Sequence, residues 1–206
     1  MKTLFLYIIK QDTDLLLAGL SATEWLMRGA GDIPYRVIGS PEEATPTETD
    51  WFALLTGSTP LVTAEYLYDL VKECERRGVS GLEIGDGYLV KSAAYKEGFR
   101  PKRSASAFVS RRLDNATDLS RAERELYHRI AEISVQNGAI IPDMDSVRID
   151  ATSVVESGAA IEPFALIKGS VIQSGARIGS FSEIYSSRIG RGATVRHAVV
   201  KDSYKG

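Results

Sequence analysis

The stretch Leu54-Leu55-Thr56-Gly57-Ser58-Thr59-Pro60 ends an apolar run in three hydroxyls, a glycine and a proline. Such hydroxyls and a glycine at a strand end could line a small polar pocket. The same residues also read as a strand end closed by the cap of the next helix. "RPKRSASAFVSRR" holds the one basic cluster, Arg100, Lys102, Arg103, Arg111 and Arg112. It suits either a phosphate-facing loop or a strand edge guarded by charge. The two histidines have no partners at catalytic or metal spacing. His128 falls on a charged helix and His197 in a repeat, and both read as surface residues. Cys74 is the single cysteine, so it forms no intrachain disulfide and is expected to pack.

These residues need elements to hold them. Thr3 to Ile9 is apolar and predicts a buried strand, and "YRVIG" and "WFALLTG" predict two more, with a polar, proline-bearing loop between them. Ser21 and Glu24 form a capping box that opens a helix through Trp25, Leu26 and Met27. Thr63 caps a second helix, whose apolar Tyr66, Leu67, Leu70, Val71 and Cys74 recur at helical spacing until Gly78 stops it. "GLEIGDGYLVK" predicts a hairpin around Gly85-Asp86-Gly87, where the glycines supply positive φ. Ser120 and Glu123 predict a second capping box, opening a helix over 120–138. Strands alternating with helices argue for an α/β layer around a small sheet.

Composition limits the function classes. The chain has 206 residues, 44% of them apolar, and a net charge of −2. One large or two small domains with real cores are expected, and polyanion binding is disfavoured. Nucleic acid is therefore not an expected partner. No apolar stretch approaches the ~20 residues that span a bilayer, so no membrane partner is expected either. One unpaired cysteine fits a reducing cytoplasm.

From residue 139 the texture changes. Large aliphatics stand at Ile149, Val155, Ile161, Ile167, Ile172, Ile178, Ile184, Ile189, Val195 and Val200, six residues apart with occasional fives. Two positions before the last nine stand Ser153, Ala159, Ala165, Ser170, Ala176, Ser182, Ser187, Ala193 and Ala198. No helix has this period, and a hairpin sheet would not keep it over so long a run. A hexapeptide-repeat β-helix accounts for it. Three six-residue rungs close a triangular coil, the aliphatic points inward and the small residue sits where the corner leaves little room. The outermost C-terminal coil exposes an unpaired edge.

Residues 113 to 206, from "LDNATDLSRAERELYHRIAEISVQNG" to "VVKDSYKG", resemble the linker helix and first coils of the bacterial bifunctional UDP-N-acetylglucosamine pyrophosphorylase and glucosamine-1-phosphate N-acetyltransferase. The resemblance implies an α/β nucleotidyltransferase-like domain with a small Rossmann-like sheet over 1–119 and a linker helix over 120–138. A left-handed parallel β-helix of hexapeptide repeats would follow over 139–206. It also implies a cytoplasmic homotrimer in cell-envelope precursor synthesis, with a nucleotide sugar or sugar phosphate as ligand and Mg²⁺ as cofactor of any active form. In that family one domain couples UTP to the sugar phosphate, and the β-helix transfers acetyl from acetyl-CoA.

The chain departs from that family at its chemistry. The glycine-rich strand-loop that holds the triphosphate is replaced by "LFLYIIKQDTDLLLAG". In "LLTGSTPLVT" the resemblance implies a retained nucleotide-shaped pocket with Thr56, Gly57 and Thr59 as the candidate contacts, but the position of the metal-binding aspartate is Ser58, and the second metal position, an asparagine in the family, falls on Asp114. A hydroxyl is a poor anchor for a hard dication. The first domain is about a hundred residues shorter than the family's, and the coils that would hold the acetyltransferase histidine and CoA lie beyond Gly206. The expectation is a diverged nucleotidyltransferase-like protein, weakened or inactive in both reactions. An active pyrophosphorylase-type transferase and a non-catalytic trimeric scaffold are the alternatives.

Overall fold

A computed structural model describes residues 2–10, 15–46, 48–101 and 113–206. The chain divides into two compact units, residues 1–15 with 21–119 and residues 16–20 with 120–206.

The first unit is built on one mixed sheet. β1 (Leu4–Ile9) is followed by a short ribbon of β2 (Leu16–Leu17) and β3 (Leu20–Ser21), then α1 (Ala22–Gly29), β4 (Tyr35–Ile38) and β5 (Trp51–Leu55). Next come α2 (Ala64–Arg77), β6 (Gly81–Ile84), β7 (Gly87–Lys91) and α3 (Ser92–Lys96). The sheet order is β4-β1-β5-β7-β6. β1 lies parallel to both β4 and β5, in a Rossmann-like arrangement, and β7 runs antiparallel to β5 and β6.

Alternation assigns the two faces. Leu4, Leu6 and Ile8 pair in register with Trp51, Ala53 and Leu55, and these six join Leu26 of α1 and Leu67, Leu70 and Cys74 of α2 in one core. On the other face Tyr7, Phe52, Leu54 and Val90 pack with Ile38 and Ala44, and the Tyr7 hydroxyl donates to the Thr45 carbonyl at 2.9 Å. Both helix starts follow the sequence. Ser21 and Glu24 close the capping box on α1, Thr63 Oγ1 accepts from the Tyr66 N–H, and Gly78 ends α2 at φ 68°. The β6–β7 hairpin forms as well, but only Gly85 takes positive φ, at 58°. Gly87 sits inside β7 for a different reason: a Cβ there would meet the Leu54 carbonyl at 1.9 Å, so the strands approach too closely for any side chain.

The long helix, α4, spans Ala116–Gln136, which corrects the expected start at Ser120. Asn115 Oδ1 accepts the N–H groups of Thr117 and Asp118 at 2.9 and 3.1 Å, and the Asp118 carboxylate accepts from Asn115 Nδ2 at 2.7 Å. Asn115 thus caps the helix a turn upstream, and Ser120 is left inside it.

The second unit contains β8 (Arg148–Ile149), β9 (Val154–Val155), β10 (Ala160–Ile161), β11 (Leu166–Lys168), β12 (Val171–Ile172) and β13 (Arg177–Ile178). These continue as β14 (Glu183–Tyr185), β15 (Arg188–Ile189), β16 (Thr194–Val195), β17 (Val199–Lys201) and β18 (Tyr204–Lys205). The chain visits three parallel sheets in rotation: β8-β11-β14-β17, β9-β12-β15-β18 and β10-β13-β16. Rung partners lie sixteen to eighteen residues apart, seventeen for Ile161, Ile178 and Val195, eighteen for Ile149 and Ile167, and sixteen for Ile184 and Val200. Seven isoleucines, Ile149, Ile161, Ile167, Ile172, Ile178, Ile184 and Ile189, are wholly buried, each contributing about 1.5–3 kcal/mol. Ala131 and Ile130 of α4 pack into the same core.

The choice between serine and alanine before each aliphatic now has a reason. Ser153, Ser170, Ser187 and Ser203 stack at one corner, where the Oγ of each of the first three accepts the N–H of the serine one coil on, at 3.0–3.1 Å. Ser170 and Ser187 also donate to the carbonyls of Lys168 and Tyr185. Ala159, Ala176 and Ala193 occupy a second corner, where Ala159 and Ala176 are wholly buried and Ala193 packs against the same core.

Candidate functional site

β1 leads through α1 to β4 at one edge of the sheet, and β5 leads through α2 to β6 at the other edge, with both helices packed on the same face. In open α/β sheets ligands bind beyond the carboxyl ends of strands at such a reversal. Thr56 directly follows β5 at this place, adjacent in the sheet to the end of β1.

The loop after β5 is ordered by its own hydroxyls. Thr56 Oγ1 and Ser58 Oγ lie 2.7 Å apart, the Thr59 N–H donates to the Thr56 carbonyl at 3.1 Å, and Thr59 Oγ1 donates to that carbonyl at 3.2 Å. Thr56 and Thr59 are buried. A close approach fixes the loop from outside, since a Cβ on Gly29 would meet the Val62 carbonyl at 2.3 Å. Gly57 therefore sits in a turn whose neighbouring hydroxyls are engaged with each other.

The structure brings Ser58 and Asp114 into one neighbourhood. The Leu113 N–H donates to the Ser58 carbonyl at 2.9 Å, and Asp114 follows at once, its own N–H 3.4 Å from the Asp118 carboxylate. Sequence spacing gave no sign of this bond. As a donor set for Mg²⁺ the place is thin. It offers Asp114 and neutral hydroxyls, with the nearby Asp118 carboxylate engaged by Asn115 at 2.7 Å, and no group of three His, Cys, Asp or Glu side chains suited to a metal occurs among the described residues. A hard dication that demands charged oxygens is not fitted by these residues.

The other candidates lie apart from this loop. His128 Nδ1 is 3.0 Å from Asp145 Oδ1, a solvent-facing pair. His197 has φ 47° and follows Phe164 and Phe181 at the same corner of successive coils, where the two phenylalanine rings stack at 5.1 Å. Arg100 donates to the carbonyls of Tyr95 and Phe99 and lies over the Tyr95 ring at 3.8 Å. Lys102, Arg103, Arg111 and Arg112 fall outside the described residues. Cys74 is wholly buried, and burial pushes its thiol up to about 11.

A cavity of about 800 Å³ lies along α2, lined by Lys2, Asp32, Glu65, Tyr68, Asp69 and Lys72 among others. Burial, helped by Asp32, holds the Tyr68 phenol above its ordinary range. The lining includes neither the Thr56–Thr59 loop nor Asp114. The cavity is a half-open groove with a mainly apolar lining, rimmed by the charged side chains of Lys2, Asp32, Glu65, Asp69 and Lys72. Among the described residues no helix is long and apolar enough to cross a membrane. No protein-family model matches the chain, and no curated protein matches it.

Proposed function

We propose that the chain is a diverged relative of the bacterial sugar-1-phosphate nucleotidyltransferases. Its α/β unit keeps the position of a nucleotide site but not its catalytic parts, and its second unit is a left-handed hexapeptide-repeat β-helix that assembles as a homotrimer. The observation that carries this reading is the bond from the Leu113 N–H to the Ser58 carbonyl. It sets Asp114 beside the loop after β5, so the two positions that hold metal in the resembled family are neighbours here, with one carboxylate missing. The ligand class is a uridine nucleotide or nucleotide sugar, held weakly through Thr56, Gly57 and Thr59. Where the family uses Mg²⁺, this chain offers Asp114 alone. The protein's place is the cytoplasm, in cell-envelope precursor synthesis.

The non-catalytic scaffold is the second reading, and the self-bonded hydroxyls of Thr56, Ser58 and Thr59 favour it. A thermal-shift screen against UTP, UDP-sugars and acetyl-CoA in Mg²⁺ separates the two, because a ligand of the native state raises stability by mass action. Uridine nucleotides at millimolar concentration are expected to raise Tm, and acetyl-CoA to leave it unchanged. No shift with any nucleotide leaves only the scaffold.

A further inference from the structure

The segment Leu16-Leu17-Ala18-Gly19-Leu20 runs between β1 and α1, yet these residues belong to the second unit. Leu17, Ala18 and Leu20 are buried and Leu16 is exposed. The Ala18 carbonyl accepts the Ala151 N–H at 2.9 Å. Ala18 and Gly19 both take positive φ, 44° and 91°, which turns the ribbon sharply. Glycine is required at the second position twice over, by that φ and by space: a Cβ there would stand 3.0 Å from Asp150 Oδ2.

Asp150 cannot easily give way. It is buried and accepts from Thr152 Oγ1 at 3.0 Å, Ser153 Oγ at 2.6 Å and the Gly169 N–H at 3.1 Å. Moving it would leave three donors without their acceptor. The seat of the segment is therefore rigid. Its other end is equally fixed. Ser21, the next residue, is the N-cap of α1, its N–H bonded to Glu24 Oε2 at 2.8 Å. No spare residue separates the docked turn from the capped helix.

We propose that residues 16–20 are a strap, through which α1 keeps its place in the first unit only while the second unit is folded, so that the two unfold as one cooperative system. The strap stands independently of the functional reading.

The two tryptophans make the strap testable. Trp25 and Trp51 both lie in the first unit, so fluorescence in urea follows that unit alone. Hydrogen exchange at the Ala151 amide follows the second. In the wild type the two losses are expected at one urea midpoint. Gly19→Val, strained by its φ and forced onto Asp150, is expected to split the midpoints and speed Ala151 exchange about tenfold. Leu16→Ser, on the exposed side of the strap, is expected to keep a single midpoint. Should Gly19→Val fail to fold, native-state exchange of the wild type decides. The Ala151 amide and the Ala30 amide that closes α1 must then open with the same denaturant dependence. Separate wild-type midpoints, unequal opening of these two amides, or coincident losses in Gly19→Val would overturn the strap.

Discussion

Ser182 is wholly buried, and its hydroxyl has no hydrogen-bond partner. Its counterparts in the neighbouring coils are Ala165 and Ala198, so the position needs a small side chain and nothing polar. Ser170 is the opposite case, accepting from the Ser187 N–H and donating to the Lys168 carbonyl. Ser182→Ala is therefore expected to raise stability by about 1 kcal/mol, and Ser170→Ala to lower it by about 1–2 kcal/mol, both read from urea midpoints. A loss of stability in Ser182→Ala would contradict this account of the corners. The sequence showed that these positions must be small, because the six-residue beat is a local property. Which of them need a hydroxyl depends on partners a full coil away, and that was not legible.

Elements were legible where their signals are local. The capping box of α1, the Thr63 cap and Gly78 stop of α2, and the turn at Gly85 all lie within a few residues of the structure they determine. The start of α4 misled because two capping patterns lie close together, and Asn115 with Asp118 takes the earlier place. The strap was not legible, since Gly19 is explained only by Asp150, far along the chain. Of the candidate site, the strand end at Thr56 could be read, but the bond between Leu113 and Ser58 is a tertiary pairing.

Within α2, Cys74 gives a test in alkali. Its thiol ionises near 9 when unfolded and near 11 in the wholly buried folded environment. The folded state thus holds the proton more tightly. The resulting stability is complete below pH 9, falls as pH rises toward 11, and amounts to about 2–3 kcal/mol. Cys74→Ala is expected to flatten that part of the stability–pH curve. An unchanged alkaline slope would show that the thiol is not held so.

At the scale of the whole molecule, the repeat predicts assembly and the departures predict silence. Three parallel sheets wound in rotation offer faces for side-by-side packing, and light scattering at micromolar concentration is expected to give three times the chain mass. A clean monomer would reject the trimer. The central claim is that the α/β unit has lost its chemistry, since phosphoryl transfer needs charge gathered on the phosphates by metal and basic side chains. Asp114 beside a hydroxyl loop supplies too little of it. The direct measurement is UDP-N-acetylglucosamine formation from UTP and N-acetylglucosamine-1-phosphate in Mg²⁺, with wild type, Ser58→Asp and Asp114→Ala side by side. The account predicts no product from any of the three, because a restored carboxylate still lacks a cradle for the triphosphate. Product from the wild type, abolished in Asp114→Ala, would contradict it and establish an active enzyme.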